Sequence, residues 1–180
     1  MASHPPLQMV QTSAWNGFRY DFLDASGTVI GHFEFPNFAQ ARNARLRWHR
    51  PGSTAGDIQM QLDGAHRVDF EYLSRGWTND LRYRLLRGDA VLAHMDVCQV
   101  RGRRWPDITL HGPVTAQLHR TGRWWRSALV WRDTASGQPV AQMQAPATFT
   151  LKYRCDITGE RLPTAIKGFL GVVVASLRLL

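Results

Sequence analysis

Apolar and polar residues alternate with a period of two along most of this chain, as in strands that bury one face. The clearest unit runs from Phe18 to Asp24, turns through Gly27, and continues from Thr28 to Phe33. A polar turn that contains glycine between two alternating runs predicts a β-hairpin. The same arrangement recurs and predicts about twelve strands. They lie at roughly 17–23, 29–35, 44–49, 58–62, 67–73, 81–86, 91–99, 105–110, 113–119, 124–132, 139–144 and 148–155.

The beginning of the chain is predicted to lie outside this pattern. Pro5 and Pro6 oppose regular structure, so residues 1–14 are expected to form a flexible leader. Residues 15–180 then form a single domain, the usual organisation for a chain of 180 residues. The leader has neither a basic start nor a continuous apolar run, which predicts no secretory signal and a cytoplasmic location. The Ala- and Arg-rich segment 38–45 is also compatible with a short helix.

The C-terminal segment carries a different pattern. Pro163 is a favourable first-turn residue, and from Phe169 to Leu177 only Ser176 is polar, which predicts a helix over about 163–179. A helix that is apolar on every side must be surrounded by protein. Its uncharged stretch of ten residues is about half the length that a membrane span needs, so no transmembrane segment is expected. The alternative is that Val172–Val174, three β-branched residues, form the last strand of a sandwich.

Together the two patterns predict a mainly β fold, a closed antiparallel β-barrel of about twelve strands with the apolar C-terminal helix buried inside. Wall side chains cannot fill a barrel wider than about eight strands. A helix of about 10–12 Å diameter would fill it. The small residues Gly168, Gly171 and Ala175 share one helix face, where they would let the wall approach closely.

The rhythm of strands and turns, the run from Phe22 to Ile30 and the terminal segment Leu162–Leu180 resemble the tubby-like superfamily. That superfamily includes the LURP-one-related proteins and the phospholipid scramblases. The resemblance covers most of the chain after Trp15, and it implies a twelve-stranded barrel around a hydrophobic C-terminal helix. Tubby domains bind phosphoinositide headgroups through basic surface residues, so the resemblance implies lipid or partner binding rather than catalysis. The segment Cys155–Glu160 has only two separated acids, unlike the acidic calcium segment of scramblases, so calcium binding is not expected.

Charge adds a candidate class of partner. The formal net charge is +8, which favours an anionic partner such as phospholipid headgroups or nucleic acid. Lys152 and Lys167 are the only lysines among 22 basic residues. The alternative is therefore that the arginine excess reflects a coding bias towards G/C-rich codons.

Two short segments, Arg101–Trp105 and Arg120–Arg126, combine arginine with tryptophan, and neighbouring hairpins could bring these Arg-Trp segments to one end of the barrel. Guanidinium groups bind phosphates through two hydrogen bonds, and tryptophan settles at headgroup interfaces. The candidate contact residues are Arg101, Arg103, Arg104, Trp105, Arg123, Trp124 and Arg126. The alternative is that Trp105 and Trp125 belong to the core and the arginines only solvate loops.

No catalytic or metal-binding motif accompanies these segments. The seven histidines fall singly, without ligand spacing, and although His111 and His119 could share one face with Asp96, no metal site is predicted. Cys98 and Cys155 are expected to be buried free thiols. No nucleophile motif is present, so neither an enzyme nor a cofactor is predicted.

The sequence therefore predicts a non-enzymatic binding domain for an anionic lipid surface or a protein partner, peripheral at the membrane if it binds lipid. It is also compatible with a lipocalin-type carrier of hydrophobic small molecules, in which the helix lies outside an empty barrel. A nucleic-acid-binding protein is a third hypothesis, and a protein anchored to the membrane by its C-terminal tail is a fourth.

Overall fold

The computed structural model describes residues 6–13, 19–35, 58–74, 80–102, 105–121, 128–144 and 154–177. These residues form twelve strands and one helix. The strands are β1 Leu7–Ser13, β2 Arg19–Leu23, β3 Val29–Glu34, β4 Ile58–Leu62, β5 Ala65–Ser74, β6 Asp80–Arg87, β7 Ala90–Cys98, β8 Asp107–His111, β9 Thr115–Thr121, β10 Ala128–Asp133, β11 Pro139–Gln144 and β12 Arg154–Thr158. The helix, α1, is Thr164–Leu177.

The strands form a closed antiparallel barrel in sequence order, in which β1 closes the circle by pairing with both β2 and β12. Each described strand therefore has two hydrogen-bonded neighbours, which removes the exposed edges of an open sheet. The alternation of apolar and polar residues follows the wall: in β4, Ile58, Met60 and Leu62 point inward between exposed glutamines. The predicted fold class, a twelve-stranded barrel with a buried C-terminal helix, is confirmed.

The prediction of a flexible leader at residues 1–14 is wrong for Leu7–Ser13, which forms β1, whereas residues 1–5 and 14 lie outside the described residues. Leu7 and Met9 are buried and alternate with less buried neighbours, a pattern that the preceding prolines obscured in the sequence. The predicted strand at 44–49 and the possible helix at 38–45 lie outside the described residues. The strands that flank them, β3 and β4, pair directly with each other. The last strand is Arg154–Thr158, whereas 148–155 was predicted; residues 145–153 are outside the described part.

The helix α1 occupies the interior of the barrel, and every residue from Ala165 to Ser176 is buried. The alternative that Val172–Val174 form a strand is therefore wrong. Lys167 is buried as well, and this desolvation lowers the pKa of its ammonium group, whereas the charge of Glu160 acts in the opposite direction. Near the other end of α1, the Ser176 hydroxyl donates to the Val172 carbonyl oxygen at 2.7 Å and hydrogen-bonds with Tyr83 of β6. The helix is thus fixed to the wall by a buried polar contact as well as by packing.

The antiparallel meander divides the strand connections between two ends of the barrel. One end is where the odd-numbered strands β1, β3, β5, β7, β9 and β11 finish, and we call this end the basic rim. These strands finish at Ser13, Glu34, Ser74, Cys98, Thr121 and Gln144. The opposite rim is the end where β2, β4, β6, β8 and β10 finish, and where α1 enters the barrel after β12. Connections at the opposite rim are short turns; one of them, Asp63–Gly64, has positive φ angles of 55° and 107° at its two residues. A glycine is the natural residue at the second of these positions.

Candidate functional site

Basic, acidic and tryptophan residues are distributed unequally between the connections of the two rims. The segments that join strand ends of the basic rim contain eleven arginines and lysines and a single acid, Asp57. They also contain six of the seven tryptophans. The segments of the opposite rim contain four acids and one arginine, Arg161, and no tryptophan. The topology therefore attaches basic and aromatic segments to one end of the barrel and acidic turns to the other.

One described contact at the basic rim joins arginine and tryptophan from different strands. The guanidinium carbon of Arg120, in β9, lies 4.5 Å from the ring centroid of Trp105, which precedes β8. Trp105 is half-buried and packs against the core, whereas Arg120 and Arg101 are exposed. A guanidinium over an indole face is a cation–π contact that leaves the other face of the cation open to solvent. This contact links the β7–β8 connection to the strand that begins the β9–β10 connection.

The predicted binding residues are only partly within the described structure. Arg101 and Trp105 lie at the basic rim, as part of the β7–β8 connection. The remaining candidates lie outside the described residues, namely Arg103, Arg104, Arg123, Trp124 and Arg126. Their connections begin and end at the same rim, because Thr121 pairs with Ala128 there and Cys98 pairs with Asp107. The proposed convergence of the two segments remains a prediction that the strand topology favours. Trp105 also satisfies part of the alternative, since it contributes to the core.

A second cluster of chemically active side chains lies on the outer face of the wall, midway round the barrel from β1. His94 and Asp96 are alternate residues of β7, and His111 of β8 stands opposite His94 in the strand register. The two imidazole rings stack with centroids 4.6 Å apart and an interplanar angle of 18°. One potential ligand atom from each of the three residues lies within 4.8 Å of the others, so this His94–His111 cluster could hold a metal ion.

Charged neighbours on β5 and β6 surround the cluster. Arg82 donates two hydrogen bonds to Asp96, from Nε to Oδ1 at 2.7 Å and from Nη2 to Oδ2 at 3.0 Å. This fork lowers the pKa of Asp96 and holds its carboxylate ionised. Arg84 forms the same fork with Asp69 at 2.8 Å for both bonds, and its Nη1 lies 3.6 Å from Glu71. For His94, desolvation lowers the pKa first, followed by the positive charge of Arg82.

The sequence analysis identified only part of this cluster, namely Asp96 and His111. It allowed Asp96 and His111 to share a face with His119, but His94 is the partner, because the register places it opposite His111. His119 lies on β9 four residues beyond Thr115, the residue opposite His111. A spacing search along the chain cannot detect a cross-strand pair, since the two histidines are separated by the whole β7–β8 connection.

A third histidine, His66, is buried beside the opposite rim. Its Nδ1 lies 3.1 Å from the Gly64 carbonyl oxygen, and Arg87 Nη2 lies 3.1 Å from Nε2. The neutral tautomer that donates from Nδ1 and accepts at Nε2 satisfies both contacts. Desolvation lowers the pKa of His66, and the positive charge of Arg87 acts in the same direction. His66 is thus a neutral structural residue that fixes a hairpin turn.

Acidification should therefore destabilise the protein partly through His66. Because its pKa is lower in the folded chain, the unfolded chain takes up the proton first, as the pH falls below about 6.5. The His66 contribution is fully present above that pH and is lost as the pH falls towards the folded-state pKa. We expect His66→Gln to flatten the dependence of unfolding free energy on pH between about 7 and 5, a slope of at most ~1.4 kcal/mol per pH unit for one proton. Urea unfolding at several pH values measures this, and the slope of His66→Gln is compared with that of His119→Gln, a matched substitution on the outer face of β9.

The thiols offer no reactive site. Both cysteines are free; Cys155 is buried as predicted, but Cys98 is only half-buried, which corrects that part of the prediction. Burial raises the pKa of both thiols, so the unreactive protonated form predominates at neutral pH.

Comparison with protein-family models, curated proteins and solved structures gives no significant match. Within the described ranges, no helix combines the length and the apolarity that crossing a bilayer requires.

Proposed function

We propose that this protein is a non-enzymatic binding domain that docks on an anionic phospholipid surface through its basic rim, as a peripheral cytoplasmic protein. The observation that carries the proposal is the division of residue types between the rims. Eleven basic residues and six tryptophans belong to connections of one rim, and only one acid accompanies them. Arginine supplies charge attraction and paired hydrogen bonds to phosphate, and tryptophan prefers the headgroup layer.

The division also weighs against a pure coding bias. A bias in codon usage would enrich arginine in all connections, but the opposite rim has one arginine and four acids. The resulting charge asymmetry would orient the barrel with its basic rim towards a negative surface. The twelve-stranded barrel around a C-terminal helix is also the architecture that the tubby-like resemblance implies. This agreement supports our proposal that the chain is related to that superfamily. The carrier hypothesis required a helix outside an empty barrel, whereas α1 lies within it.

Vesicle sedimentation tests the proposal. We expect the protein to sediment with vesicles of phosphatidylcholine and phosphatidylserine but not with phosphatidylcholine alone, and binding should weaken as salt is raised. The double variant Arg101→Gln/Arg123→Gln removes one charge from each Arg-Trp segment. At about 1 kcal/mol for each basic residue near the surface, it should bind about 30-fold more weakly.

The matched control is Arg132→Gln/Arg161→Gln, which makes the same change in net charge near the opposite rim. If both double variants lose the same affinity, binding follows total charge and the basic rim is not the contact surface. If the wild type fails to sediment, or sediments independently of anionic lipid and salt, the lipid proposal is wrong. Retention of a labelled DNA duplex in filter binding without vesicle binding would assign the basic rim to nucleic acid instead.

A further inference from the structure

The His94–His111 cluster has the composition and placement of a metal site that the lipid proposal does not use. It offers two imidazoles and one carboxylate from adjacent strands, with Asp96 Oδ2 lying 3.8 Å from His111 Nε2. The backbone positions are fixed by the ladder between β7 and β8, in which His94 pairs with His111 and Asp96 with Thr109. Only side-chain rotations are then needed to adjust the three donor atoms.

We propose that His94, Asp96 and His111 bind one divalent transition-metal ion of the zinc class. Imidazole nitrogen and carboxylate oxygen bind Zn²⁺ at about 2.0–2.2 Å, so tetrahedral ligation brings donor atoms to about 3.3 Å from one another. The donor atoms now lie within 4.8 Å, and all three side chains are half-buried, so they can move inward on the ion. Three protein ligands leave a fourth position for water or an external ligand.

Arg82 is placed to orient the carboxylate ligand. It uses one lone pair of each oxygen of Asp96, and each carboxylate oxygen has a second lone pair. Oδ2 can therefore bind a metal without releasing Arg82. Hydrogen bonds of this kind from outside the ligand shell fix ligand geometry in metal sites.

The charge around the cluster is less positive than that of the chain as a whole. Asp69, Glu71 and Asp96 provide three carboxylates, against the two guanidinium groups of Arg82 and Arg84. With neutral imidazoles the face has a net charge of −1 within a protein of +8. The three carboxylates therefore offset the positive charge of Arg82 and Arg84 for an incoming divalent ion.

Zinc titration of the full-length protein, after treatment with a chelator, tests the proposal. Competition with a chromophoric chelator should give one saturable equivalent of Zn²⁺, and Co²⁺ should give the absorption bands of low-symmetry coordination at the same stoichiometry. Loss of an outer hydrogen-bond partner alone weakens metal sites about 10–100-fold, so His94→Ala and His111→Ala should each lower the affinity by more than about 100-fold. His119→Ala, on the outer face of β9, is the matched control and should bind as the wild type does.

Melting curves without metal establish that each variant is folded, and His111→Gln replaces His111→Ala if the alanine variant is not. Zn²⁺ should raise the melting temperature of the wild type and of His119→Ala but not that of the cluster variants. Absence of saturable binding in the wild type overturns the proposal. So does an affinity that survives both cluster substitutions, or that falls equally in His119→Ala, because the ion would then be held elsewhere. None of these outcomes depends on vesicle binding, so the metal and lipid proposals fail or succeed separately.

Discussion

A chain that ends after Pro163, and so lacks α1, should not reach the native state. The twelve residues from Ala165 to Ser176 are all buried, so the wall is left facing the space that they fill. A helix of fourteen residues occupies on the order of 1,500 Å³. At about 24 cal/mol per Å³, an unfilled void of that size would cost roughly 35 kcal/mol, well above the 5–15 kcal/mol by which domains are stable. The wall cannot close over such a gap, because the strand number fixes the barrel radius.

The measurement is near-UV circular dichroism of the purified truncation, together with its elution volume in gel filtration. Trp131 is fully buried and reports on native packing. We expect loss of the near-UV signal, and an aggregated or expanded chain. Removal of residues 178–180 alone is the control, since it keeps the whole of α1 and should retain a cooperative melting transition. A soluble truncation with native spectra and a sharp transition would show that α1 is not the core of the barrel.

The architecture was predictable because two independent patterns required each other. Alternation in segments such as Ile58–Leu62 predicted strands, and the all-round apolar run after Pro163 predicted a helix that must be enclosed. The interior of a wide barrel must be occupied by further side chains, and a helix that is apolar on every side must be shielded from water by surrounding protein. Neither inference depended on knowing which strands pair.

Features that depend on strand pairing were less accessible. The Leu7–Ser13 strand directly follows two prolines, which obscured its alternation in the sequence, and its pairing with β2 and β12 identifies it as the strand that closes the barrel. His94 and His111 become neighbours through register, which the sequence does not display. Lys167 borders the uncharged stretch of the predicted helix, and its charge gave no indication that the side chain is buried with the rest of α1.

The basic rim was predictable in part. The two Arg-Trp segments were visible in the sequence as motifs. Their assignment to one end of the barrel required only the strand numbering, because connections that follow odd-numbered strands of an antiparallel meander all lie at the same end. Once β1 is counted as a strand, every odd connection belongs to the same rim, including those that carry Trp15, Trp48 and Trp77. The strand numbering therefore extends the predicted binding surface from two Arg-Trp segments to all six connections of the basic rim. It also identifies the opposite rim as the proper control surface, because both rims belong to the same rigid wall.

The close contact between helix and wall at Gly168 leads to the second large effect. A Cβ atom at Gly168 would lie 2.5 Å from Leu62 Cδ2 and 3.1 Å from Met60 Sδ. An exposed Gly→Ala change within a helix normally gains about 1 kcal/mol. Here we expect Gly168→Ala to lower the unfolding free energy by about 1–2 kcal/mol, and Gly168→Val to lower it by about 3 kcal/mol, because added groups in a packed core force side chains and backbone apart.

The cause can be isolated with a double-mutant cycle in urea unfolding. Leu62→Ala alone should cost about 2–5 kcal/mol, since it leaves a cavity beside the helix. It also removes the atom that the new methyl group would meet, so adding Gly168→Ala should then be neutral or stabilising, a coupling of about 1–3 kcal/mol. Gly171→Ala is the control for position, because its added Cβ would meet Met9 and Ile157 instead, and Leu62→Ala should not rescue it. If Gly168→Ala raises stability in the wild-type background, the wall does not pack closely against this face of the helix. The proposed close contact between Gly168 and β4 is then wrong.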